Sequence, residues 1–191
     1  MSLLTRHMKD AIIERILRFR LGARLSYILD SGAEVSFPFA ALARLADVSL
    51  RNFSLAISTT LTQHLHESKN LIMGGAGVAR TFTLPIATGT GATYRFIVGA
   101  VNTSGYLIKT SRGADTFDGL ILNADTDSAG VMRGWSPAAT DDTITLNGTT
   151  SGGSSIGDWI EVRDIAANQW AVSGNTSGTG VVITPFSDTV A

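Results

Sequence analysis

The stretch Thr81–Ala100, TFTLPIATGTGATYRFIVGA, decides the reading of this chain. Phe82 and Leu84 alternate with Thr81 and Thr83, as a half-buried strand requires. Pro85 ends that strand, because it lacks an N–H and restricts Leu84 before it. Gly89 and Gly91 can take the positive φ angles of a tight connection. Tyr94, Phe96 and Val98 then alternate with Thr93, Arg95 and Ile97 in a second strand. The Gly-x-Gly invites a phosphate-loop reading, but no Lys-Ser/Thr follows and no helical pattern opens after it. Two strands around a Gly-rich turn is the reading adopted.

Working outward, the region from Arg51 to the C-terminus repeats this texture. Phe53, Leu55 and Ile57 alternate, and further strands are predicted at 70–73, 80–84, 93–101, 105–110, 117–122, 143–147, 158–163, 169–173 and 180–184. They are short, closely spaced and separated by Gly, Asn, Asp or Ser, with no helix-length pattern between them. That spacing predicts an antiparallel β-sandwich or jelly-roll-like domain over 52–191. Asn147-Gly148 is a turn dipeptide, and Ala166-Ala167-Asn168 folds IEVRDI back on QWAVSG as a hairpin. The related fragments LNADT (122–126) and LNGTT (146–150) have no fixed period and establish no repeat.

Residues 1–51 differ in kind. They hold eight of the fifteen basic residues, five of the sixteen acids and two of the twenty glycines. Ile12, Ile13, Ile16, Leu17 and Leu21 recur near helical spacing, predicting an amphipathic helix over roughly 5–29. A turn follows at Asp30-Ser31-Gly32, then a short extended segment with Val35, Phe37 and Phe39 around Pro38. A short helix over 40–46 completes this helical and extended arm. Such a helix can pack on its own protein, dock in a groove of a larger assembly or lie on a membrane. Acids at 10, 14 and 30 and the lack of a tryptophan at the apolar edge put the membrane last.

The composition narrows function further. Of the 191 residues 44% are hydrophobic and only 16% charged, with mean hydropathy +0.20, so partners are expected to cover part of the exterior. A net charge of −1 provides no general drive toward nucleic acid or membrane. The absence of cysteine removes disulfides and thiolate zinc sites. The N-terminus has no uninterrupted apolar core of a signal peptide, and no run reaches the ~20 apolar residues of a membrane helix. A soluble protein, made in the cytoplasm without a legible export signal, is expected.

Chemistry-bearing constellations are sparse. His64 and His66 would share one face of a strand and could reach one metal ion, six nitrogens in all if three copies met on an axis. Two histidines with only Glu67 nearby are a weak motif, and no metal or other cofactor is expected. Asn123-x-Asp125-x-Asp127 has calcium-loop alternation, but Ser128 and Gly134 stand where an EF-hand needs Gly and Glu. Turn chemistry accounts for these acids. Asp141 and Asp142, adjacent on a strand, face opposite ways and make no glycosidase pair; Glu161 and Asp164 read as solvated hairpin residues. No Gly-x-Ser-x-Gly elbow occurs, so no catalytic residue is assigned and no enzyme is expected. Trp159 and Trp170 read as core, whereas Trp135, in Gly-Trp-Ser-Pro, is a candidate contact residue. Asn-x-Ser/Thr triplets at Asn52, Asn102, Asn147 and Asn175 read as turn composition.

The central stretch, with VNTSGYLIKT (101–110), DTITLNGTT (142–150) and GDWIEVRDIAANQWAVSG (157–174), resembles a β domain that recurs in tailed-bacteriophage virion proteins. The resemblance spans the last two-thirds of the chain, not the first 50 residues, and consists of packing and turn patterns. It implies a capsid decoration (cement) protein, a homotrimer on the capsid exterior of the virion that ties major capsid protein subunits together. It also admits a tail-fibre or receptor-binding module recognising bacterial surface glycan, though 1–51 lacks the heptads of a coiled-coil shaft. Neither implies nucleic acid or membrane as a partner. The assembly-contact candidates are Ile12, Ile13, Ile16, Leu17, Phe37, Phe39 and Trp135.

Overall fold

The computed structural model describes residues 24–28, 34–38, 51–128 and 130–190. The chain divides into two compact units, Met1–Leu50 and Arg51–Ala191. In the first unit, β1 (Arg24–Ile28) and β2 (Glu34–Pro38) pair antiparallel, with Leu25 opposite Phe37 and Tyr27 opposite Val35. The extended segment around Phe37 is thus a strand. The helix expected to run to residue 29 is not: 24–28 is β, since Leu25, Tyr27 and the intervening serine also carry a two-residue period that pairing with 34–38 satisfies. The rest of that helix and the one over 40–46 lie outside the described residues.

The second unit is mainly β. Its strands are β3 (Asn52–Leu55), β4 (Thr59–Thr60), β5 (Asn70–Met73), β6 (Arg80–Thr83), β7 (Thr93–Val98), β8 (Tyr106–Lys109), β9 (Thr116–Asp125), β10 (Met132–Trp135), β11 (Thr143–Leu146), β12 (Trp159–Ala166), β13 (Gln169–Gly178) and β14 (Phe186–Ser187). One helical turn, α1 (Gln63–His66), lies between β4 and β5. They form a seven-stranded sheet, β10-β9-β13-β12-β7-β5-β3, and a five-stranded sheet, β14-β11-β8-β6-β4.

Both sheets are mixed, which corrects the antiparallel expectation. Strands β3, β5 and β7 are parallel neighbours, and so are β4, β6 and β8. The chain alternates between sheets, so β3–β4, β5–β6 and β7–β8 are three stacked turns of a coil. Strands β6 and β7, which flank the Gly-rich turn, therefore belong to different sheets. Parallel neighbours need no hairpin between them, so short spacing alone does not reveal them. Position repeats from turn to turn: Phe53, Leu71 and Phe96 align in register, and the Asn70 side chain donates to Asn52 Oδ1 at 3.0 Å. The β12–β13 pair is the expected antiparallel hairpin, with Asn168 at φ 66° in its turn. Strand β13 also runs parallel to β9 over ten pairs. The predicted strand at 180–184 is absent; 186–187 pairs with β11 instead. Strand β10 escaped the sequence reading because MRGW has little alternation.

The core draws from both sheets. Leu71, Tyr94, Phe96, Ile160 and Trp170 from one, and Phe82, Tyr106, Ile108, Ile144 and Leu146 from the other, belong to one buried cluster. Phe82 stacks on both Phe96 and Tyr106, each at 6.0 Å and 28°. Tyr94 meets the Trp170 ring edge-on, and burial, with Glu67 and Asp164 adding to it, raises its pKa to about 12.

Candidate functional site: an uncharged loop end

The strand directions place the connections. Strands β3, β5, β7, β9 and β13 run one way, and β10 and β12 the other. The stretches 56–58, 74–79, 99–105, 126–131, 147–158 and 179–185 therefore gather at one end of the unit. Those at 61–69, 84–92, 110–115, 136–142 and 167–168 gather at the other.

The two ends differ in chemistry. In the first group Asp127 and Asp158 are the only charged residues; the rest is Gly, Ser, Thr, Asn, Ala, Val, Ile and Pro. Ile57 (67% exposed), Val78, Val131, Ile156 (72%), Val181 (82%) and Ile183 project from these same loops. The second group holds Glu67, Lys69, Arg112, Asp115, Asp141 and Asp142.

The loops of the first end are tied together from within. Asn102, fully buried, accepts the Gly77 N–H and donates to the Val78 and Gly105 carbonyls, joining two loops. Asp127 accepts the Thr179 hydroxyl and the Gly180 N–H, and these bonds lower its pKa against the small opposing effect of desolvation. Asn147 accepts the N–H groups of Thr149 and Ser151 across its turn. Ile183 donates its N–H to Thr150 O. Asp158 is buried beneath and accepts the Ser177 N–H at 2.8 Å; desolvation outweighs that bond and raises its pKa. Both the Asn102 and Asn147 triplets are thus loop clasps, in keeping with their reading as turn composition.

At the opposite end the Gly-rich turn wraps a carboxylate. Asp164, 2% exposed, accepts N–H bonds from Thr88 (3.0 Å), Gly89 (2.6 Å) and Thr90 (3.0 Å), and the Thr90 hydroxyl at 2.8 Å. Burial pushes its pKa up, but the N–H donors of Thr90, Gly89 and Thr88 outweigh that and hold it below the ordinary carboxylate range. Successive N–H groups of this kind make an anion nest. The chain's own Asp164 fills it, which corrects the reading of Asp164 as solvated. The signal was present in Thr88-Gly89-Thr90-Gly91, a cradle that needs an anion, but nothing local says the anion lies 75 residues away.

Other acids have similar duties. Asp115 accepts the Ala87 N–H and pairs with Arg112 at 2.9 Å. Asp142 accepts the N–H groups of Thr189 and Val190, and Asp141 accepts that of Ala138. Asp125 accepts the Asp127 N–H, and Asn123 is buried. Among the described residues no three of His, Cys, Asp and Glu gather as a metal-binding group. His64 and His66 sit on α1 rather than a strand: His64 is exposed, whereas His66 is buried, its Nδ1 2.9 Å from the Thr62 N–H and its ring edge-on to Phe53.

Of the assembly-contact candidates, Ile12, Ile13, Ile16, Leu17 and Phe39 lie outside the described residues, and Phe37 is on β2. Trp135 lies on β10, half-buried and packed against the core, rather than free in a loop. Pairing of β10 with β9 sets it opposite the buried Ile121, which turns it inward. Trp159, read as core, is half-buried on the opposite face of its sheet from Ile160, with the Arg95 guanidinium 4.3 Å over its ring. No protein-family model, curated protein or solved structure matches the chain. Among the described residues no helix is long and apolar enough to cross a membrane.

Proposed function

We propose that the chain is a capsid decoration protein of a tailed bacteriophage, a homotrimer on the outer shell that stabilises contacts between major capsid subunits. The two sheets would be the layers of a β-sandwich, and the protein would work by contact, without turnover. The observation that carries this reading is the loop end: exposed apolar side chains on hydrogen-bonded loops with one exposed charge, Asp127, make a surface suited to burial against protein. The carboxylates at 115, 142, 158 and 164 each accept backbone N–H bonds, a use that favours a structural part over a hydrolase. Buried area spread over several subunits would add to shell stability by mass action. Shells lacking the protein should regain heat resistance when the full chain is added, and purified virions should contain it at hundreds of copies. Failure to bind such shells, or presence at only a few copies per virion, would remove the reading.

The tail-fibre alternative draws on Trp159. It stands between Asn175 and Ile97 in register on the outward face of the seven-stranded sheet, beside Arg95 and Glu161. An indole among polar planar groups is a surface on which a sugar ring can stack. Quenching of tryptophan fluorescence by host surface glycan, lost in Trp159→Ala, would favour this reading over the first.

A further inference from the structure

We infer that the loop end is where copies of this chain meet each other, so that Ile57, Val78, Ile156, Val181 and Ile183 are self-association residues. This deepens the decoration-protein reading by assigning the contact within its homotrimer. The unit Arg51–Ala191 carries eight bases and eleven acids, and two copies meet at least cost where few of these charges lose water. At the loop end little charge is exposed: of its two charged residues Asp158 is buried, and Asp127 alone stands at the surface, with its carboxylate bonded to Thr179 and Gly180. A second copy therefore has the least charge to desolvate when it presents the same end.

The remaining chemistry is self-compatible. Hydroxyls of Ser and Thr both donate and accept, so a surface built of them can bond to its own copy without a complementary partner. The apolar side chains supply the area whose removal from water drives association. Because Asn102, Asn147 and Asp127 already join the loops to one another, little ordering entropy is lost on contact. The far end has more charge to cover, with Glu67, Lys69, Arg112 and Asp141 all half-exposed.

The test uses the full chain. Light scattering at micromolar concentration should give a mass above the 20.1 kDa of one copy, falling to one copy in the double variant Ile156→Asp, Val181→Asp. The control Leu65→Asp, Ile86→Asp, exposed at the opposite end, should keep the wild-type mass. A one-copy wild type, an unchanged loop-end variant, or loss of association in the control as well would overturn the inference. Should a variant misfold, the absence of native cysteine provides a second route. Val181→Cys should cross-link copies on oxidation, and Leu65→Cys should not; linking in both or neither contradicts the proposal. Binding of a soluble glycan at the loop end by a one-copy protein would also contradict it. Shell binding is read separately, so loss of shell binding with self-association intact removes the proposed function and leaves this contact standing.

Discussion

At the scale of single residues, stability rests on a few positions with no substitute. Gly119 lies within β9 at φ +132°, and a Cβ there would come 2.1 Å from the Val172 carbonyl oxygen. Gly119→Ala should cost about 3 kcal/mol or more, through strain and steric overlap that separate β9 from β13, measured as a shift in the urea midpoint. Asp164 is the second. Asp164→Asn keeps the shape but replaces one acceptor oxygen by a donor facing N–H groups, and should cost about 2 kcal/mol. The pH dependence follows in sign. A folded pKa below the unfolded value means that Asp164 stabilises above the unfolded pKa, and this is lost as pH falls through the folded one. Asp158 opposes it: with a raised folded pKa the native state takes its proton first, so this group favours folding more as pH falls. Asp164→Asn should therefore flatten the acid limb of the stability curve, whereas Asp158→Asn should steepen it. Equal limbs in both variants and wild type would contradict these assignments.

At the scale of elements, the notable feature is the parallel coil of β3 to β8. Its rungs are joined by backbone bonds and by the Asn70–Asn52 side-chain bond on the outward face. Asn70→Ala should lower stability by about 1 kcal/mol, since the bond is exposed. The turn α1 makes a separate prediction. His66 is buried with Nδ1 engaged by Thr62, and His64 is exposed on the same short turn, so the two do not present a joint ligand pair. Zinc or ferrous iron should leave the melting temperature unchanged. Metal retained at one equivalent through purification without a His-tag, and lost in His66→Ala, would show otherwise.

At the scale of the whole molecule, charge is divided unevenly along the sequence. Residues 1–51 carry +3, from eight bases and five acids, against −4 for the remainder. The apolar stripe that the spacing of Ile12, Ile13, Ile16 and Leu17 predicts would cost solubility unless something covered it. The proposed decoration protein would use this arm as its anchor on the shell, with the arginines orienting it. A chain beginning at Asn52 should remain folded, yet bind shells lacking the protein at least tenfold more weakly than the full chain, on the order of 1.4 kcal/mol. Equal binding would exclude the arm as anchor, and failure to fold would make it part of the domain's own support.

Most strands were legible because alternation is a local signal: Tyr94, Phe96 and Val98 are buried as their spacing requires, and so are Ile160 and Val162. The β12–β13 hairpin was legible too, since its turn residues sit between its strands. Sheet membership was not. Nothing local distinguishes a strand that pairs with its neighbour from one that crosses to the other sheet and pairs parallel a full turn later. The same limit hid the candidate site. The residues of the loop end are scattered from Ile57 to Ile183, and each loop alone reads as ordinary Gly/Ser/Thr turn composition. Only the common direction of β3, β5, β7, β9 and β13 collects them at one end, and only a fold that brings Asp164 to Gly89 shows the Gly-rich turn to be already filled. Turn and strand chemistry depends on neighbours within a few residues, whereas pairing partners and the surfaces they gather depend on contacts between distant parts of the chain.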